Sequence, residues 1–198
     1  MVALYAMDHP QRVERLVQLG PVEINMGPNP QQQSEDNFGA PAAAFQRLKD
    51  LQAAGARENS PKEFCEAQAE VLKYRLVGDP SHASRVRSLC DLENEWPVNF
   101  ARHVQAHFGS ILQLEVPLER VRALSVPVLT IHGTKDRNAP YAGGREWAAT
   151  LPNARLLTVE GAAHQSWSDD PRIIGTIREF LKTGAWPAGA EKVSAPAK

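Results

Sequence analysis

Two stretches in the last third of the chain hold the residue types of acid–base catalysis at matching offsets. In HGTKDRNAP, Asp136 lies three residues beyond Gly133; in GAAHQSWSDDP, His164 lies three residues beyond Gly161. A carboxylate that accepts a hydrogen bond from one imidazole nitrogen fixes the tautomer and leaves the other nitrogen free as a base. Taken singly, each residue has a plainer account: an Asp bonding the backbone of its own turn, or a half-buried loop histidine. The repetition of the offset after two similar apolar runs is what singles them out. VPVLTIHG (126–133) and ARLLTVEG (154–161) are continuous and rich in β-branched residues, as expected of strands covered on both faces. In open parallel sheets, reactive groups gather just beyond the C-terminal ends of the strands.

The elements that must position this pair can be read along the chain. MVALYAMDH has apolar residues at helical spacing and ends where Pro10 disfavours α geometry in the residue before it. No Ser, Thr, Asp or Asn precedes it to cap the first turn, so the pattern reads as a helix with an end and no beginning. RVERLVQL (12–19) reads as a buried strand ended by Gly20-Pro21. Residues 23–43 are rich in Pro, Gln, Asn and Gly, the composition of a loop. Helices are expected over 41–54, 61–77, 81–89 and 98–108, then strand 126–133, helix 139–151, strand 154–161 and helix 171–183. Strand and helix alternating at this spacing imply parallel βαβ units. The expected organisation is an α/β core starting at 1–22, an all-helical insertion over 23–115, the remainder of the core over 116–183, and a flexible tail over 184–198.

Composition removes several function classes. Hydrophobic residues make up 42% and charged residues 23%, ordinary for a globular protein. Net charge is −1 with both signs mixed along the chain, so no basic footprint for nucleic acid exists. No apolar run reaches the length of a membrane span, and the N-terminal apolar stretch lacks the form of a secretion signal. The expectation is a cytoplasmic protein with reduced, buried thiols at Cys65 and Cys90, although one disulfide between them is open. No cofactor or metal is expected. His103 and His107 share a helix face at the spacing of H-E-x-x-H zinc sites, but Val104 stands where the catalytic Glu belongs. Asp169 and Asp170 suit the N-terminus of the helix starting at Pro171. Trp167 could line a pocket beside His164 or pack in the core.

DHPQRVERLVQLGP, VPVLTIHGTKDRNAP and LPNARLLTVEGAAHQSWSDDP together make the chain resemble the C-terminal portion of an α/β-hydrolase, in the branch with esterases, epoxide hydrolases and prolyl-aminopeptidase-like enzymes. The resemblance covers both flanks, and the helical block matches the family's lid by position. It implies a partial α/β-hydrolase fold of about three parallel strands with flanking helices and an inserted helical lid. It also implies that Asp136 is the acid and His164 the base of a triad whose chain order is nucleophile, acid, histidine. Glu23 is a rival acid, since some members place the carboxylate after that strand. Glu93 and Glu95, in DLENEWP, could hold a substrate's free amine in an aminopeptidase-like member, or form a solvated acidic turn.

In the family the nucleophile sits in G-x-S-x-G between a strand and the helix resembling MVALYAMDHP, and that motif occurs nowhere in the 198 residues. Ser110 and Ser166 lack both the glycines and the strand–turn–helix context. The expectation is therefore a nucleophile and oxyanion hole upstream of Met1 and a chain inactive alone. Its substrate would be a small-molecule ester or amide, and its bare sheet edge would invite self-association. A noncatalytic remnant or interaction module is the alternative from another class, and an Asp nucleophile would indicate dehalogenase or epoxide-hydrolase chemistry.

Overall fold

A computed structural model describes residues 2–25, 39–88, 90, 106, 110 and 113–194. Helix α1 (Val2–Asp8) leads through a 3-10 turn (Pro10–Arg12) into β1 (Leu16–Leu19). The insertion contributes α2 (Ala42–Ala53), α3 (Ala56–Asn59), α4 (Pro61–Leu76) and a 3-10 segment (Pro80–Arg85). The chain re-enters the core through α5 (Leu118–Ala123), then β2 (Val128–Gly133), α6 (Tyr141–Thr150) and β3 (Ala154–Val159). It closes with α7 (Ser166–Asp169), α8 (Arg172–Thr183) and β4 (Ala190–Glu191).

The sheet order is β1-β2-β3-β4, with the first three strands parallel and β4 antiparallel to β3. The register aligns Leu16 with Val128 and Ala154, so the three parallel strands start side by side; β2 and β3 also end level, at Gly133 and Val159, with β1 ending opposite Ile131. Alternation of side chains then builds two cores. Leu16, Val128 and Ala154 face a cluster with Ala3 and Ala6 of α1, Val121 of α5, and Trp147 and Leu151. Leu129 and Ile131 face the opposite cluster with Ile173 and Phe180 of α8. Among the polar residues inside, the Thr130 hydroxyl donates to Gln18 Oε1 at 3.0 Å across the β1–β2 pair. These are the α/β architecture and parallel βαβ order expected from the sequence.

Several expectations are corrected. β1 begins four residues later than expected, because its ladder partner Pro127 offers only a carbonyl, which Leu16 N reaches at 2.9 Å. The helix expected over 81–89 is a 3-10 segment ending at Arg85. α3, α5 and α7 were not legible: at four to six residues they carry little periodicity. The tail is not free over its first half. Trp186 packs on Phe180 with ring centroids 5.1 Å apart, Arg155 lies 5.2 Å over the Trp186 ring, and Ala190 and Glu191 add the fourth strand. The thiols are not reduced: Cys65 on α4 is bonded to Cys90, with Cα atoms 5.8 Å apart. Of the helix expected over 98–108, all but Ala106 lies outside the described residues, His103 and His107 included.

Candidate active site

The C-terminal ends of β1, β2 and β3 converge on one spot. Gly20, directly after β1, donates its N–H to the Ile131 carbonyl at 2.9 Å, keeping that end level with β2. The segments after β2 and β3 are stitched together. Thr134 N reaches Val159 O at 3.2 Å, Lys135 N reaches Ala162 O at 2.9 Å, and Gly161 N reaches Thr134 Oγ1 at 2.9 Å. This lacing brings Asp136 and His164, 28 residues apart in sequence, to 2.9 Å between Oδ2 and Nδ1.

The carboxylate of Asp136 is fully buried, whereas the His164 side chain is 27% exposed. Each carboxylate oxygen has defined donors. Oδ1 accepts the N–H groups of Asn138 and Ala139, both at 2.8 Å. Oδ2 takes His164 Nδ1 and, from the other side, His132 Nε2 at 3.2 Å. Burial by itself pushes the Asp136 carboxyl up, but the hydrogen bonds from His132, His164 and the Ala139 amide outweigh it. The net effect holds the carboxyl well below the usual range. An acid held ionised at neutral pH engages one imidazole nitrogen and leaves Nε2 of a partly exposed ring for proton transfer. Glu23 is not that partner, because His164 Nδ1 is taken by Asp136.

His132 is the residue that sequence reasoning missed. It sits inside the apolar run VPVLTIHG, wholly buried, and its Nε2–H also reaches the Ala139 carbonyl at 2.9 Å. Its Nδ1 is buried with no hydrogen-bond partner among the described residues. A polar residue in an otherwise unbroken buried run was the signal available. Arg75, at the end of α4, donates to the Arg137 carbonyl at 3.3 Å and brings a cation from the insertion to the Asp136 loop. Its pKa is lowered by burial, against the pull of Asp136.

The remaining candidates fall elsewhere. Trp167 packs against the cluster of Ile173 and Phe180. Asp170 caps α8 as expected, accepting Arg172 N at 3.0 Å. Asp169 does not: its carboxylate turns toward the insertion and the amide of Ala163. Ser166 is buried, and the Ser110 hydroxyl donates to the Ala106 carbonyl at 2.9 Å. Glu93 and Glu95 lie outside the described residues. Among the described residues no group of three or more His, Cys, Asp or Glu could hold a metal, and no helix is long and apolar enough to cross a membrane.

Comparisons with known proteins agree with this architecture. A family model described as TAP-like protein matches residues 112–193, the part that carries Asp136 and His164. A non-heme haloperoxidase from Rhodococcus erythropolis is 34% identical over 76 residues, covering 37% of this chain and 28% of the relative. A serine hydrolase from Cycloclasticus zankles superposes with a TM-score of 0.60 at 15% identity, covering 92% of this chain and 60% of that one. A meta-cleavage product hydrolase from Pseudomonas fluorescens gives a TM-score of 0.60 at 15% identity, over 93% of this chain and 61% of that one. An esterase from Rhodococcus gives 0.54 at 21% identity, over 92% and 61%. The chain thus spans just over a quarter of the curated relative and about three fifths of each of these solved structures. By these likenesses the chain is similar to hydrolases of known structure, and its described residues form part of an α/β-hydrolase fold.

Proposed function

We propose that this chain supplies the acid and base of a nucleophile–Asp136–His164 triad that cleaves an ester or amide bond of a small molecule. The observation that carries the reading is the 2.9 Å contact between the buried Asp136 Oδ2 and Nδ1 of the partly exposed His164. The nucleophile and oxyanion hole come from residues outside the 198, since the sequence holds no G-x-S-x-G. His164 Nε2 takes the nucleophile's hydroxyl proton as its oxygen attacks the carbonyl carbon. It then returns the proton to the departing alcohol or amine, leaving an acyl–enzyme. Water repeats the two transfers and releases the acid. Asp136 stays ionised throughout and stabilises the imidazolium. Glu93 and Glu95 are substrate contacts in this reading, their carboxylates suited to a free amine, while Trp167 packs in the core and is not.

Alone, the chain is inactive. It lacks the groups from which a triad enzyme stripped of its nucleophile keeps a residual rate of roughly 10³–10⁴ over water. The unpaired side of β1, at one end of the sheet among the described residues, is the surface for self-association. The Cys65–Cys90 bond favours an oxidising compartment over the cytoplasm.

The test is burst release of p-nitrophenol from a short-chain ester. We expect none from the 198-residue chain and a burst from the same chain joined to the segment encoded in frame upstream, lost in His164→Ala. A burst from the joined protein that survives His164→Ala overturns the reading. If the joined protein carries Asp at the nucleophile position, the reaction is of the dehalogenase or epoxide-hydrolase type instead.

A further inference from the structure

Asp169 sits five residues past His164, yet its carboxylate is directed away from the helix that follows. Oδ2 accepts Gly78 N at 2.8 Å and Ala163 N at 2.9 Å; Oδ1 accepts Asp79 N at 3.3 Å and His82 Nδ1–H at 2.9 Å. Two of these donors, Gly78 and Asp79, belong to the turn between α4 and the 3-10 segment of the insertion, and His82 belongs to the 3-10 segment itself. The fourth is the amide immediately before His164. The side chain is only 9% exposed, so these bonds are little screened by water.

Other contacts lock the same two segments together. Gln165 N, immediately after His164, donates to the Leu76 carbonyl at the end of α4 at 2.8 Å. Arg85 Nη1 donates to the Ser168 carbonyl at 3.0 Å. Gly78 lies so close to the His164 loop that a Cβ there would collide with the Gly161 carbonyl. His164 is therefore bracketed: the peptide on one side is tied to the insertion through Asp169, and the peptide on the other bonds to it directly.

We propose that Asp169 is a positioning residue that couples the helical insertion to His164, so that the imidazole keeps its Asp136-facing orientation only while the insertion is seated. The role acts through the backbone at Ala163 and needs no contact with substrate. It rests on His164 being the base, but its consequences are readable without turnover. Displacing the insertion loosens the Asp136–His164 bond; seating the insertion restores it. The insertion thereby sets the orientation of the base.

The test uses the full chain and two independent perturbations. Asp169→Ala removes the acceptor, and Gly78→Ala unseats the insertion while leaving the carboxylate intact. Hydrogen exchange is followed at the amides of residues 78, 79, 163 and 165, with Leu129 and Ile131 of β2 as reporters of the folded sheet. The low-field Nδ1 proton of His164 reports the bond to Asp136. In each variant we expect exchange at all four amides to rise together by about tenfold or more, β2 protection to persist, and the His164 proton signal to broaden or vanish. Asp169→Glu, which keeps the charge and acceptors, should recover part of the signal.

An unchanged His164 signal while residues 78 and 79 lose protection would make Asp169 an anchor for the insertion alone and overturn the coupling. Loss of β2 protection in one variant leaves the other to decide, and loss in both would mean the segment is part of the global fold and also overturn it. A failure of the triad reading appears in the ester assay, and these readouts do not depend on it.

Discussion

Replacing Gly20 with Ala should damage the candidate site from a position that carries no chemistry of its own. Gly20 has φ +51°, in the left-handed region, and an added Cβ would lie 2.9 Å from both Asp136 Oδ2 and His164 Nδ1 and 3.2 Å from His164 Cε1. The backbone cost for a non-glycine residue there is about 1–2 kcal/mol. The steric cost depends on what can move. Asp136 is held by two amides and by the buried His132, so the partly exposed His164 must yield. Retreat by a few tenths of an ångström takes the Nδ1–Oδ2 contact beyond good hydrogen-bond length and forfeits a charge-assisted bond worth about 1.5–3 kcal/mol. Together these give a loss of about 2.5–5 kcal/mol against an overall stability of roughly 5–15 kcal/mol. In the joined protein, an imidazole freed to take the wrong tautomer should lower kcat by about 10²–10⁴, the upper end being the effect of losing the orienting carboxylate. Urea unfolding of the chain and the low-field proton of His164 are the assays. A variant within about 0.5 kcal/mol of the parent, with the His164 resonance unmoved, would refute the claim that Gly20 is the floor on which the pair rests.

Further outcomes follow from the same geometry. Because the Asp136 carboxyl is depressed in the folded protein, its contribution to stability is complete above the unfolded carboxylate range. That contribution is lost as pH falls below about 4 toward the native value, at up to about 1.4 kcal/mol per pH unit. Melting temperature should accordingly fall more steeply between about pH 5 and 2 in the parent than in Asp136→Asn, and parallel curves would contradict the assignment. His132→Phe loses a donor to an anion, worth about 1.5–3 kcal/mol, but also removes a buried unpartnered nitrogen costing about 1–3 kcal/mol. Its net effect on stability at neutral pH should be small while the His164 proton resonance shifts, and a loss beyond about 3 kcal/mol would show that the orphan nitrogen costs little. Reducing the Cys65–Cys90 bond, which joins residues 25 apart, should lower stability by up to about 3.5 kcal/mol of loop-closure entropy, read as a fall in the melting temperature with dithiothreitol. No change would show that those segments are already ordered in the unfolded chain.

What the sequence determined by itself is the local and periodic part of this protein. Apolar β-branched runs can satisfy their backbone groups and bury both faces only as interior strands, so VPVLTIHG and ARLLTVEG announced β2 and β3. The residues just past them, Asp136 and His164, followed from the chirality and parallel order that such runs impose. The amphipathic spacing of Ile173, Ile177 and Phe180 likewise forced α8 onto the sheet. Tertiary structure decided whatever depends on segments distant in the chain meeting one another. Gly20 reads as a turn signal until β1 is laid beside β2 and its missing Cβ becomes room for two side chains. Asp169 reads as a helix cap until the insertion, 87 to 91 residues away, presents its amides and an imidazole as better-placed donors. The Cys65–Cys90 bond and the docking of the Ala-rich tail on β3 have the same origin. Neither segment has a local preference strong enough to specify its partner, and burial against a surface assembled from other parts of the chain supplies it.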